Sequence, residues 1–239
     1  MQECSKMIIE MNRYSEIKNK IKREIVLLKS SPCRWGKCSF CDYIDDNSID
    51  QAANHRLNME VLNNVTGKYG VLEIINSGNI FELPQNTLNE IKMIIKEKSI
   101  NLIFFESHWI YKDKIKIMKD FFGIKCIVKT GLETFDRRFR EEVLLKGFDF
   151  NSITELQSFF DSVCLMVGIK GQSKSSIKKD IDIAMENFKH FTINVYVANS
   201  TDIKPDLELI KWFQEEFKWL DHEQKCDVLW VNTDFGVGE

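Results

Sequence analysis

Residues 71–105 read VLEIINSGNIFELPQNTLNEIKMIIKEKSINLIFF, and two changes of hydrophobic period within them decide the fold class. Val71 to Ile75 and Leu102 to Phe105 are short, nearly continuous apolar runs rich in β-branched and aromatic residues, the pattern of strands buried on both faces. Between them Leu88, Ile91 and Ile95 recur at three and four and trace one face of an amphipathic helix. The stretch is therefore a strand-helix-strand unit.

The same alternation runs outward in both directions. Further strands are expected at Ile25 to Leu28, Cys126 to Val128, Cys164 to Val167, Ile193 to Val197 and Val228 to Val231. Helical faces are expected on Phe135, Phe139 and Val143, closing at Lys146-Gly147, and on Ile177, Ile181, Ala184 and Phe188 after the polar start Ser173 to Ser176. A last one carries Leu207, Ile210, Phe213 and Phe217 behind Asp206. Six or seven such units in 239 residues fall short of the eight units and roughly 250 residues of a closed barrel. A partial barrel or a doubly wound α/β sheet remains, and in both the ligands gather beyond the carboxyl ends of the strands. The organisation expected is one domain over 1–239, with a helical segment at 1–24, a barrel core at 25–198 and a substrate-side extension at 199–239.

Composition narrows the function. The 33 basic against 36 acidic residues give a net charge of −3, which excludes a nucleic-acid clamp built on bulk positive charge. Lys18, Lys20, Lys22 and Arg23 read as a solvated helix face, so a small molecule is expected as substrate and not an intact nucleic acid. No stretch is long and apolar enough for a membrane span, and the opening residues lack the apolar run of a signal peptide, which places the chain in the cytoplasm.

Three of the seven cysteines, Cys33, Cys38 and Cys41, fall within nine residues directly after the first expected parallel strand. The other four, Cys4, Cys126, Cys164 and Cys226, are scattered and read as core or surface thiols. Three thiols in one loop at the active face could hold zinc, could be a reduced-thiol loop without metal, or could hold an iron-sulfur cluster with one open iron. Structural zinc wants a fourth ligand, and His55 stands alone.

Cys33-x4-Cys38-x2-Cys41, with Phe40 before the last cysteine, resembles the cluster loop of the radical S-adenosylmethionine (SAM) superfamily, one residue longer than the usual Cys-x3-Cys-x2-Cys. Later strand ends resemble further superfamily segments: Asn76-Ser77-Gly78-Asn79 the small-residue motif that meets the methionyl amino group, Gly131-Leu132-Glu133-Thr134 the carboxylate segment, and Val167 to Gln172 the adenine-binding strand end. The resemblance implies a partial (β/α)6 TIM-like barrel, with a [4Fe-4S] cluster on Cys33, Cys38 and Cys41 and SAM at the carboxyl ends of the strands. It implies SAM contacts from Phe40, Tyr43, Asn76, Ser77, Gly78, Glu106, Lys129, Glu133 and Ile169, and an electron donor such as flavodoxin or ferredoxin. The chemistry it implies is a 5′-deoxyadenosyl radical, so no acid-base catalytic pair is expected.

Glu106-Ser107-His108 ends a strand; Glu106 is expected to face the site and His108 to be a packed loop residue, while His55, His190 and His222 are expected at the surface. Lys129 and Arg137 are candidates for a carboxylate or phosphate. Asn199 and Thr201, with Asn232, Asp234 and Phe235, are expected to bind substrate, Asp234 by accepting N–H bonds from a guanine-like base under an aromatic ring. The short chain, the longer cysteine loop, Glu-Ser-His and the closing Asn-Thr-Asp-Phe-Gly are similar to the clostridial queuine lyases. That similarity implies release of queuine from queuosine 5′-phosphate. Another radical SAM reaction and a non-catalytic metal-binding module are the competing readings.

Overall fold

A computed structural model describes residues 11–231. Its eight strands form one sheet in the order of the sequence: β1 (Tyr14–Ile17), β2 (Arg23–Leu28), β3 (Val71–Asn76), β4 (Leu102–Glu106), β5 (Lys125–Glu133), β6 (Ser162–Val167), β7 (His190–Val195) and β8 (Cys226–Leu229). Strands β2 to β8 are parallel, and β1 is antiparallel to β2. Six helices make the crossovers: α1 (Gln51–Leu62), α2 (Gln85–Glu97), α3 (Ile115–Phe122), α4 (Ile153–Phe159), α5 (Lys174–Asn187) and α6 (Leu207–Glu216). No strand pair joins β1 to β8, so the barrel is partial, as expected. No described helix is long and apolar enough to cross a membrane.

Helix starts follow from local chemistry. Asp206 caps α6 by accepting from the Leu209 amide at 3.0 Å, and Ser173 and Ser176 form a reciprocal capping box at α5. One face of the sheet packs on the helices. Val26, Leu28, Leu72, Ile74, Ile103, Phe105, Val163, Leu165, Phe191 and Ile193 meet Ile91, Ile95, Ile177, Ile181 and Phe213 there, each nearly free of solvent. Burying a side chain of that size contributes about 1.5–3 kcal/mol.

The other face turns inward, and period 2 assigns it Arg23, Glu73, Glu106, Lys129, Cys164, Thr192, Asn194 and Asp227. At its floor Arg23 donates to Glu73 at 2.5 Å and to Asp227 at 2.6 Å, tying the first parallel strand to the last across the open side. Lys129 also donates to Glu73, and His190 bonds Asp227 at 3.0 Å while its other ring nitrogen meets Ser162 at 3.0 Å. The Arg23 guanidinium lies 5.1 Å from the Phe104 ring centre.

Several expectations change here. Residues 14–17 are a strand, not helix, and Arg23 is buried inside β2, because the inward carboxylates of Glu73 and Asp227 outweigh the cost of desolvating it. Lys20 is not merely solvated either: it donates to the carbonyls of Leu220 (2.9 Å) and Cys226. His190 is buried and not at the surface, as the Asp227 and Ser162 partners require. The helical face expected on Phe135, Phe139 and Val143 is a short one: residues 137–143 are helical, with Phe139–Val143 a π-helical turn, before Gly147 at φ +66°. Within the stretch expected as an extension, α6 and β8 continue the barrel, with β8 hydrogen-bonded to β7.

Burial pushes the Glu73 carboxyl up, but the charges of Arg23 and Lys129 outweigh it and hold it at about 2. Asp227 is likewise held low, burial being overcome by the His190 hydrogen bond and the Arg23 charge. Both groups bind protons in the unfolded chain before they do so in the native one, so their stabilisation is complete above about pH 4.5 and is lost as pH falls toward 2. Arg23→Met should cost about 3–5 kcal/mol in urea unfolding at neutral pH, because it strands two buried carboxylates. The variant should also lose the acid limb that the wild type shows between about pH 4.5 and 2.

Candidate functional site

At the carboxyl ends of the parallel strands the inner face opens into a cavity of about 320 Å³. The cysteine loop closes one side of it, with Phe40, Cys41, Asp42 and Tyr43 in its wall. That loop is fastened to the segment after the π-helical turn: Ser39 donates to the carbonyls of Leu144 (3.1 Å) and Val143 (2.6 Å), and the Trp35 indole donates to Leu145 at 2.8 Å. Gly147 gives Trp35 its place, since a Cβ there would come within 2.2 Å of the ring. On the other side, Glu82 accepts from the Arg34 amide at 2.7 Å and from the Tyr111 hydroxyl at 3.0 Å.

Cys33, Cys38 and Cys41 are free thiols, each partly buried. Burial pushes Cys38 up and Cys41 up to about 12, and the buried Lys146 ammonium beside them pulls both down. Among the described residues no three Cys, His, Asp or Glu side chains converge as a ready-made ion site. Three free thiols on one short loop, with a buried cation beside two of them, nonetheless fit the donor set of an iron-sulfur cluster. Lys146 also donates to Glu133 at 3.0 Å and lies 5.5 Å from the Phe40 ring centre.

Glu133 reaches this position through a bulge. The β5–β6 register slips between Gly131 and Glu133, and Glu133 takes φ +68°, a conformation that costs a non-glycine residue roughly 1–3 kcal/mol. A Cβ on Gly131 would lie 2.6 Å from the Glu133 carboxylate, so the glycine clears its path. Burial pushes the Glu133 carboxyl up against the opposing pull of Lys146.

Buried polar atoms without partners gather in this cavity. Both amide atoms of Asn76, Oε2 of Glu133, Oγ1 of Thr192 and Oδ1 of Asn194 have none, and all four residues line it. Native proteins leave few such atoms, and each costs about 1–3 kcal/mol, so their concentration marks a surface completed by a ligand.

Of the residues singled out from sequence, Phe40, Cys41, Tyr43, Asn76, Glu106, Lys129, Glu133 and Asn199 line the cavity. Ser77 and Gly78 do not: Ser77 accepts from the Ser30 amide at 3.2 Å, and a Cβ on Gly78 would strike Ser30 and Glu82 at 2.6 Å, so the pair seats the cysteine loop. Ile169 is fully buried behind the wall with Phe40, Leu144, Met166 and Tyr196. Thr201 bonds Asn199 at 2.7 Å, and Asn199 in turn donates to the Phe40 carbonyl at 2.7 Å. Arg137 is exposed beside Asp149 and away from the cavity. Asn232, Asp234 and Phe235 lie outside the described residues.

Sequence reading passed over Arg23, Glu73, Cys164, Thr192, Asn194, Tyr196 and Asp227 as cavity residues. Their signal was present for the charged ones: Glu73 and Asp227 interrupt apolar strands, where a charge must be paired.

Neither a family model nor a curated protein matches the sequence. Among solved structures, a queuine lyase from Clostridium spiroforme, bound to SAM and queuine, matches with TM-score 0.93 at 57% identity, over 96% of this chain and 100% of that one. The chain belongs to the queuine lyase family. Streptococcus suis SuiB bound to S-adenosylmethionine matches at TM-score 0.53 and 17% identity, over 85% of this chain and 46% of that chain, and shows the fold alone. Queuine lyase membership makes the chain a radical SAM lyase and bears out the superfamily and the partial barrel read from its sequence.

His108 is packed, as expected. Its ring stacks on Trp35 at 5.4 Å, Nδ1 accepts from the Ile110 amide at 3.3 Å, and Nε2 therefore carries the proton donated to the Lys146 carbonyl at 2.8 Å. Burial and then the Lys146 charge lower its pKa to about 3. In a pH titration of the metal-free protein by NMR, one histidine ring, identified by its absence in His108→Gln, should stay neutral from pH 8 down to about pH 4.

Proposed function

We propose that this queuine lyase releases queuine from queuosine 5′-phosphate by cleaving its glycosidic bond. Cys33, Cys38 and Cys41 would hold the [4Fe-4S] cluster, with SAM bound beside them at the carboxyl ends of the strands. The observation that carries this is the single cavity shared by the cysteine loop and the unpartnered polar atoms, in a chain 57% identical over nearly its whole length to a queuine lyase bound to SAM and queuine. Bound there, the cluster and SAM would supply the radical chemistry for a hydrogen abstraction at the substrate's ribose.

This chain's residues bind, orient and exclude water. The Asn76 amide and the unpartnered Glu133 oxygen, beside Phe40 and Tyr43, would bind the polar groups of SAM. Ser77, Gly78 and Ile169 act one layer behind, by seating the loop and wall. Glu106, half-buried and facing the cavity, pairs with Lys129 at 3.6 Å and can also orient sugar hydroxyls, while Lys129 is held by Glu73 and Glu106 and sets the charge of the floor. Ile25, Ile75, Met166 and Leu229 give the interior apolar walls that keep water from a reactive intermediate. Asn199, positioned by Thr201, contributes to the substrate side together with Asn232, Asp234 and Phe235. The electron would come from a carrier such as flavodoxin or ferredoxin, in the cytoplasm.

An anaerobic assay of the reduced, reconstituted protein with SAM and queuosine 5′-phosphate should yield queuine matched to 5′-deoxyadenosine. Deoxyadenosine without queuine would discard the substrate, and neither product from a protein with intact cluster would discard the lyase. Cys33→Ala, Cys38→Ala and Cys41→Ala should each lose the iron and labile sulfide of a full cluster. Asn76→Ala should weaken SAM binding about tenfold, the worth of one or two buried hydrogen bonds, measured by calorimetry.

A further inference from the structure

The inner face of the barrel carries more polar groups than the cofactor contacts account for, and they divide by whether they are already satisfied. Arg23, Glu73, Lys129, Asp227 and His190 are spent on one another at the floor. Asn76 and Glu133 stand on β3 and β5, beside the cysteine loop and its Lys146 anchor. Thr192 Oγ1 and Asn194 Oδ1 belong to neither group: they stand two residues apart on β7, so they share one face, and both line the cavity without a partner.

Their neighbours define a slot. Strand register sets Asn194 between Met166 on β6 and Leu229 on β8, and sets Thr192 between Cys164 and Asp227. All six line the cavity. An amide oxygen flanked by a thioether and an aliphatic side chain suits the edge of a flat heteroaromatic ring, with the apolar groups against its faces and the oxygen accepting an N–H from its rim.

We propose that Thr192 and Asn194 read the hydrogen-bonding edge of the substrate's base, Asn194 Oδ1 accepting from the 2-amino-lactam N–H groups and the Thr192 hydroxyl completing the set. The assignment rests on the reading of the chain as a queuine-releasing lyase, whose product is a 7-deazaguanine. A ring without that donor edge leaves the Asn194 oxygen buried and unpaired, which is how a built hydrogen-bonding site rejects an analogue. Thr192 and Asn194 are thus determinants of base specificity and not of SAM binding.

The test uses the reconstituted protein with SAM, titrated calorimetrically with queuine and with the corresponding base lacking the 2-amino group. Asn194→Leu should weaken queuine binding at least tenfold and bind the two bases alike, whereas the wild type should prefer queuine about tenfold. Asn194→Asp keeps the acceptor and should stay within a few-fold of the wild type for queuine. Thr192→Val should weaken queuine binding roughly three- to tenfold, yet leave the melting temperature of the ligand-free protein unchanged or higher, since it removes an unpaired buried hydroxyl. SAM affinity should stay within about twofold in all three.

Queuine binding by Asn194→Leu equal to the wild type would overturn the assignment, as would SAM affinity falling in step with queuine affinity. A lowered melting temperature in Thr192→Val would make its hydroxyl structural and overturn its part. If the wild type releases queuine from queuosine 5′-phosphate and the variants bind normally, only the β7 assignment fails. A wild type that releases none removes the functional reading and the assignment with it.

Discussion

Arg23 holds this barrel shut. A partial barrel has two sheet ends with no strand pairing between them, and here one guanidinium reaches from the first parallel strand to Glu73 on its neighbour and to Asp227 on the last. The arrangement replaces a row of backbone hydrogen bonds by a buried ion network in which each charge has at least one opposite partner. Such a network adds little net energy compared with apolar packing, but it fails badly if broken, which makes it a device for shape.

The inner face therefore has two regimes. At the floor, donors and acceptors saturate one another, and the site there is rigid and chemically spent. Beyond those ion pairs, Asn76, Glu133, Thr192 and Asn194 keep unsatisfied atoms in the cavity. Those atoms cost stability, and the left-handed backbone of Glu133 adds to the cost, so that binding has something to gain. The helices and outer core offset that loss from the other side of the same strands.

Much of this was legible in the sequence, and what was not has specific causes. Apolar runs such as Leu102–Phe105 and periodic faces such as Leu88, Ile91 and Ile95 announce the strands and helices because burial on both faces leaves no other composition. The cysteine spacing announces the loop, and Asn76 and Glu133 could be placed because they end strands. Arg23 was misread because a cation in a lysine-rich stretch looks solvated until its carboxylates, fifty residues away and at the far end of the chain, come into contact with it. Thr192 and Asn194 gave no signal, since Thr and Asn in a strand look like ordinary alternation. Only the closed sheet shows that they have no partners. Ser77, Gly78, Ile169 and Thr201 were found by position yet act one layer back, because sequence order locates a strand end and cannot say which side chain there meets the void.

The fastening of the cysteine loop separates what holds the loop from what the loop holds. Trp35, Ser39 and the Glu82 contacts anchor it through hydrogen bonds that use none of the three thiols. The sulfur atoms are therefore not consumed in keeping the loop's shape and stay available as ligands.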